Sequence, residues 1–339
     1  MHVPALVIQT SFLGDTVLST PLLAELAARG PVDILVTPMG ATVLRGNPSA
    51  RRVIVYDKRG ADAGLGGLRR LARRLRGERY EAAYLAQGSL RSAVLARAAR
   101  IPRLVGFDTS AGRAFYTERV TYRRDRHHAE RLWRLAAGDA APSPAPEAIR
   151  PRLYPGPDEH AAVDAALGGF PAAGAPLIAL APGSIWGTKR WPHFTGLVAE
   201  MPEGQFVVVG SGDDRELASA IVAVAPDRVL DLTGRLSLLA SAELLGRCAA
   251  LVANDSAPTH LASGVGTPTL TLFGATVPAY GFGPLAPRSE SLGVELSCRP
   301  CHAHGPQACP LGHFNCMRSL EPSRVAARLR NLVIPPTDS

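Results

Sequence analysis

Lysine is nearly missing from this chain: of 37 basic residues, only Lys58 and Lys189 are lysines. Arginine can serve most exposed cationic positions, so each retained lysine hints at a place that wants a compact ammonium. Aromatic residues are also few, at 6%, and they do not interleave with the arginines. That removes the stacking platforms of a single-strand nucleic-acid binder, and no zinc-finger or RNA-recognition signature replaces them. Long hydrophobic runs are missing too, which excludes a membrane-spanning helix. Met1-His2-Val3-Pro4 leads into a strand-like run without a basic leader or cleavage site. The expectation is a cytoplasmic protein, at most peripheral to a membrane. G-x-G-x-x-G is lacking after the first strand, so a dinucleotide fold of the usual kind is not expected.

The 339 residues exceed one ordinary domain and suit two. The net charge of +8 is unevenly spread. Residues 1–150 hold 24 basic against 13 acidic residues, a balance of +11, and the remainder holds 13 against 16, a balance of −3. An anionic partner is therefore expected on the first half. Part of this charge lies on the amphipathic stretch Leu68-Arg69-Arg70-Leu71-Ala72-Arg73-Arg74-Leu75-Arg76, which also reads as a solvated helix face.

Hydrophobic periodicity alternates strand and helix through both halves. Strands are expected at 5–10, 32–36, 53–56, 82–86 and 104–107, with helices at 14–28, 64–77 and 89–100. The Pro- and Ala-rich stretch 138–158 reads as a linker. The pattern restarts with strands near 177–180, 206–209, 228–232, 249–253 and 268–273, and a helix near 321–332 closes it. This predicts two α/β domains, 1–150 and 151–339, each a doubly wound Rossmann-like sheet. Ligands of such sheets bind beyond the carboxyl ends of the strands, here in the cleft between domains.

Leu251-Val252-Ala253-Asn254-Asp255-Ser256-Ala257-Pro258-Thr259-His260 is the most informative segment. A buried strand feeds a helix N-terminus that Asp255 or Ser256 can cap, and such a terminus attracts phosphate. His260 lies about one turn further on. The loop Ser184-Ile185-Trp186-Gly187-Thr188-Lys189-Arg190-Trp191-Pro192 offers hydroxyls, a glycine and the second lysine, a set that suits a diphosphate. Asp15 follows the first strand and is either a helix cap or a carboxylate that takes a proton. Asp213 and Asp214 read as ribose ligands or as N-cap acids of the following helix, and the two readings are compatible. Cys298, Cys301, Cys309 and Cys316 are spaced C-x2-C-x7-C-x6-C with histidines between them. They are either a structural zinc site or reduced thiols. Cys248 reads as core.

With these residues in view, the chain resembles the bacterial ADP-heptose:lipopolysaccharide heptosyltransferases, most closely the heptosyltransferase II type, over nearly its whole length. Ser11-Phe12-Leu13-Gly14-Asp15, Asp57-Lys58-Arg59-Gly60, Ser89-Leu90-Arg91-Ser92-Ala93, Thr188-Lys189-Arg190-Trp191-Pro192 and Asn254 to His260 carry the likeness, together with the block from Cys298 to His313. Some family members have Thr-Gly where this chain has Ser256-Ala257. The resemblance implies a GT-B architecture of two facing Rossmann-like domains, with the acceptor on the first and the nucleotide sugar on the second. The final helix is allowed to pack back on the first domain.

The resemblance also implies an inverting transfer from ADP-heptose to heptosyl-Kdo-lipid A, without a metal required for catalysis. In it Asp15 is the general base and Lys189 stabilises the leaving group. Ser184, Thr188, Lys189, Asp213, Asp214, Leu236, Asp255, Ser256, Ala257 and His260 hold the donor. Lys58, Arg59, Arg91, His127 and Arg131 meet an anionic lipopolysaccharide acceptor. The competing expectations are a GT-B transferase or epimerase for another nucleotide sugar, or a non-catalytic nucleotide-sugar-binding protein. No nucleic-acid partner is expected.

Overall fold

The computed structural model describes residues 3–171 and 175–333, and the reading made on Met1-His2 lies outside them. The chain divides into two compact units, Met1–Tyr154 and Pro155–Ser339. The first contains strands β1 (Ala5–Gln9), β2 (Val32–Val36), β3 (Arg52–Val55), β4 (Ala82–Leu85), β5 (Arg103–Phe107) and β6 (Glu118–Val120). They form one sheet in the order β3-β2-β1-β4-β5-β6, with every pairing parallel. Helices Gly64–Gly77 and Leu90–Ala98 pack together over one core, which includes Leu6, Ile8, Ile54, Leu71, Leu75 and Leu95. Burial on both faces explains why the inner strands read as continuous apolar runs.

The second unit contains β7 (Leu177–Ala181), β8 (Gln205–Val208), β9 (Val229–Asp231), β10 (Ala250–Asn254), β11 (Thr269–Leu272) and β12 (Glu290–Leu292). Its all-parallel order is β12-β11-β10-β7-β8-β9. Renumbered within its own unit and read from the β9 edge, this is again 3-2-1-4-5-6, the dinucleotide-fold order. The order thus exists without the glycine fingerprint. Each sheet has one topological switch point, between β1 and β4 and between β7 and β10.

Several elements differ from expectation. The helix expected over 14–28 is two, Leu13–Leu18 and Thr20–Ala27. Pro21 has no N–H for the preceding turn and instead starts the second helix. The stretch read as a linker contains the short helix Pro146–Ile149 and the start of helix Pro157–Leu167. The last helix, Pro322–Val333, buries Val325, Ala326, Leu329 and Leu332 in the second unit's own core, against Phe194–Glu200 and β10. Its apolar stripe is thereby used within its own unit.

Candidate functional site

In the second unit the chemistry-bearing residues gather at the switch point. Asn254, fully buried at the end of β10, ties the two flanking loops together. Its amide nitrogen donates to the carbonyls of Pro182 (2.8 Å) and Gly183 (3.3 Å), and its oxygen accepts from the Trp191 N–H at 3.0 Å. The next residue, Asp255, accepts from Lys189 Nζ at 2.6 Å and from the Thr276 hydroxyl at 2.6 Å. Lys189 also donates to the Asp255 carbonyl at 3.2 Å. Lysine and aspartate are both buried, so each compensates the other's desolvation.

Helix Ala257–Val265 starts immediately after this pair. Its N-cap residue, Ser256, makes no side-chain cap; its hydroxyl donates to the Asn254 carbonyl at 3.2 Å. The expected capping by Ser256 or Asp255 is therefore not made, since both side chains are engaged elsewhere. The positive end of the helix lies beside the Lys189 ammonium, an arrangement suited to a phosphate oxygen. His260 is buried one turn on, with its ring edge-to-face with Phe282.

The Ser184–Lys189 loop is held from the cysteine-rich segment, a link that the sequence did not reveal. Thr188 donates its hydroxyl to the Pro306 carbonyl at 2.6 Å. The Gly187 N–H donates to Gln307 Oε1 at 3.1 Å, and Gln307 Nε2 donates to the Ile185 carbonyl at 3.0 Å. Trp186 stacks with His304. Gly305, at φ +85°, brings its backbone against Thr188 and Lys189. Ser184 Oγ accepts from the Trp186 N–H. Thr188 therefore holds the loop, while Ser184 lies at the loop's half-buried start.

Asp214 is committed to its own turn. Its Oδ2 accepts from the Ser211 N–H and Oγ, and its carboxylate fits against Gly183 and Gly210, where any Cβ would clash. Asp213 is exposed and Leu236 is half-buried just before the N-cap Ser237. Of the two acids expected at the ribose, only Asp213 keeps its carboxylate toward solvent.

The four cysteines converge without forming a metal cage. Cys298 Sγ lies 3.9 Å from His313 Nε2, but the Cys301 thiol turns to the Cys298 carbonyl at 3.3 Å. Cys316 is buried in the core, and that burial pushes its thiol up to about 11. Among the described residues, no three His, Cys, Asp or Glu side chains are arranged to hold a metal ion. The expected zinc site is not built by these side chains as they stand. Cys248 is buried, as expected, and burial pushes its thiol up to about 12.

In the first unit Asp15 sits in the first turn of helix Leu13–Leu18, just after β1. Its Oδ2 lies 2.5 Å from Ser11 Oγ, and Oδ1 lies 3.8 Å from Nε2 of the mostly buried His128. The sequence pointed to the neighbouring His127, whose Nδ1 instead accepts from the Ala129 N–H and caps helix His128–Ala137. Arg131 is buried, donates to the Arg126 carbonyl and covers the Tyr122 ring. Lys58 donates to the Thr10 carbonyl at 2.7 Å, on the loop that leads into the helix bearing Asp15. Burial, then the positive charges of Arg59 and Arg91, hold its ammonium below the usual lysine value. Arg91 is fixed by the Tyr56 hydroxyl at 2.6 Å, and Arg59 is exposed. Lys58, Arg59 and Arg91 are thus a cationic group beside the Asp15 turn. His127 and Arg131 serve the helix that carries His128.

Two Rossmann-like units of equal strand order, with polar clusters at both switch points, match the GT-B fold class. Solved structures agree: E. coli ADP-heptose LPS heptosyltransferase II superposes with TM-score 0.79 at 24% identity, over 97% of this chain and 98% of that one. A glycosyl transferase family 9 protein from Veillonella parvula gives 0.84 at 21%, over 97% of each chain. Lipopolysaccharide heptosyltransferase 1 of Pseudomonas aeruginosa is 30% identical over 98% of each chain. Lipopolysaccharide heptosyltransferase 2 of Salmonella typhimurium is 27% identical over 97% of this chain and 98% of its own. Residues 68–310 match glycosyltransferase family 9 (heptosyltransferase). The chain belongs to that family.

Proposed function

We propose that this enzyme transfers heptose from ADP-heptose to the inner core of lipopolysaccharide, with heptosyl-Kdo-lipid A as acceptor. The observation that carries the donor half is Lys189 held on Asp255 beside the uncapped helix at the second switch point. Asp15 removes the proton from the acceptor hydroxyl. The hydroxyl oxygen forms a bond to the anomeric carbon from the face opposite ADP. The bond from that carbon to the diphosphate oxygen breaks, and ADP leaves with its electron pair, so the anomeric configuration inverts. Lys189 and the helix amides take up the developing negative charge. Ser184, Thr188, Ser256, Ala257 and His260 line the donor, Asp213 meets the ribose and Leu236 faces adenine.

Because protein cations supply that charge, transfer is proposed to proceed without an added divalent ion, and full activity in EDTA is the expected result. Lys58, Arg59 and Arg91 meet the anionic acceptor. A cytoplasmic enzyme seated on the inner face of the inner membrane fits a nucleotide-sugar donor and a lipid acceptor. No helix among the described residues is long and apolar enough to cross a bilayer.

A second reading differs only in the acceptor. The 30%-identical relative is a heptosyltransferase 1, which favours addition of the first heptose in place of the second. The test is ADP release from ADP-heptose with Kdo-lipid A or heptosyl-Kdo-lipid A. Release that depends on the heptosylated acceptor supports the proposal, and release with Kdo-lipid A alone moves the enzyme to the first position. No release with either acceptor refutes both.

A further inference from the structure

Helix Gly64–Gly77 carries Arg69, Arg70, Arg73, Arg74 and Arg76 and no acidic residue, and all five arginines are exposed. Several other arginines of the first unit are ion-paired. Arg51 and Arg52 meet Asp33, Arg103 meets Glu118 and Arg134 meets Glu130. Among the described residues, none of the five on this helix is in an ion pair; Arg70 alone donates to a carbonyl, that of Ala61. A cluster of like charges without counter-charge is unfavourable by itself and indicates an anionic partner.

The shape beside it is equally particular. A groove between this helix and Leu90–Ala98 has Leu68, Ala72 and Ala98 as its apolar lining and Arg69, Arg73 and Arg76 as its charged one. Leu65 (71% exposed) and Leu90 (50% exposed) stand at the starts of the same two helices. Those helices follow β3 and β4 of a parallel sheet, so both leucines lie toward its carboxyl edge, where the Asp15 turn also lies. Guanidinium groups around an apolar floor, with exposed leucines at one end, match the layer of phosphates over acyl chains at a bilayer surface. Nucleic acid would be met by the arginines alone, with no use for Leu65 or the apolar floor.

We propose that this face seats the protein on an anionic phospholipid bilayer, with headgroup phosphates along Arg69, Arg73 and Arg76 and Leu65 entering the interface. This extends the lipid-acceptor reading above by naming the surface. The test reads binding alone, so its failure and a failure of heptose transfer are separable.

The experiment is flotation of the full chain with vesicles of phosphatidylglycerol and phosphatidylcholine, and with phosphatidylcholine alone. Binding to the anionic vesicles only, weakening with salt, is expected. The triple variant Arg69→Glu/Arg73→Glu/Arg76→Glu is expected to weaken partitioning at least about a hundredfold, at about fivefold for each arginine lost. Its circular dichroism and melting temperature should stay unchanged. Leu65→Ser should weaken binding while leaving its salt dependence intact. Absent binding to anionic vesicles, or binding indifferent to the triple variant, overturns the assignment. So does duplex DNA that binds as tightly as vesicles with the same dependence on the three arginines.

Discussion

Lys189 Nζ lies 2.6 Å from Asp255 Oδ2, joining the loop after β7 to the turn after β10 across the switch point of the second sheet. Both partners are buried, and Thr276 holds the same carboxylate oxygen. Replacing Lys189 by Ala leaves Asp255 buried without its cation, a loss of about 3–5 kcal/mol when a buried pair is broken. The expected outcome is a clearly lowered melting temperature together with a kcat reduced about 100- to 1,000-fold, the cost of losing one electrostatic group at a leaving oxygen. Double replacement with Asp255→Asn should recover much of the stability and none of the rate. Thermal melts and steady-state ADP release separate the two effects.

Asp15 and His128 should behave as a unit. Asp15→Asn keeps the shape and removes the base, so kcat should fall about 100- to 10,000-fold. His128→Gln keeps a polar group 3.8 Å from the Asp15 carboxylate but removes a cation-capable one. His128→Gln should therefore lower kcat with donor KM unchanged. A His127→Gln control should leave kcat in place, because His127 caps a helix. If both variants lower kcat equally, His128 has no special relation to the base.

The contact between the cysteine-rich segment and the donor loop predicts a KM effect. Gln307→Ala removes two hydrogen bonds to that loop, together about 1–2 kcal/mol. Donor KM should rise about five- to tenfold with little change in kcat. Gly305→Val forces a β-branched residue into φ +85°, with Cβ about 3.2 Å from Thr188 Oγ1, and should do more harm than Gln307→Ala. Kinetics that leave donor KM unchanged in both variants would uncouple the segment from donor binding.

A stability prediction concerns the far side of the first sheet. Asp33 is fully buried at the start of β2. Burial pushes its carboxyl up, but hydrogen bonds from Arg51, Tyr80 and Arg52 outweigh that and leave it below the ordinary 3.8. A carboxylate depressed on folding stabilises the native state fully above the unfolded value. Its contribution is lost as pH falls through the native one. Asp33→Asn should cost at least about 2 kcal/mol at neutral pH, since the buried carboxylate's charge-assisted bonds from Arg51 and Arg52 are lost and the buried Tyr80 hydroxyl keeps a weaker acceptor. The gap between variant and wild type should close as pH drops below about 3.8, measured by urea unfolding across pH.

Much of this protein was legible along the chain. Strand–helix alternation, the break between halves and the turns after β1, β7 and β10 depend on residues within a few positions of one another, and short-range periodicity and turn chemistry record them directly. The break in the first long helix was missed, because the apolar spacing of three and four runs straight through Pro21. Asp15, Lys189 and Asp255 could be chosen because each stands where a strand becomes a helix.

The rest required the folded chain. Asp214 looked like a ribose ligand because its position suits one, yet its carboxylate closes the Ser211 turn against Gly183, a residue from another loop. His127 and His128 are adjacent in sequence and identical in type. Which of them meets Asp15 depends on how helix His128–Ala137 docks against helices Leu13–Leu18 and Thr20–Ala27. The cysteine spacing suggested a metal, while the intervening residues 304–307 grip a loop more than a hundred positions earlier. Sequence by itself determined the elements, their alternation and the residue types at the strand ends, because these follow from local backbone preferences and local burial. Tertiary structure alone decided which donor satisfies which acceptor, because strand order brings together groups whose separation along the chain carries no signal.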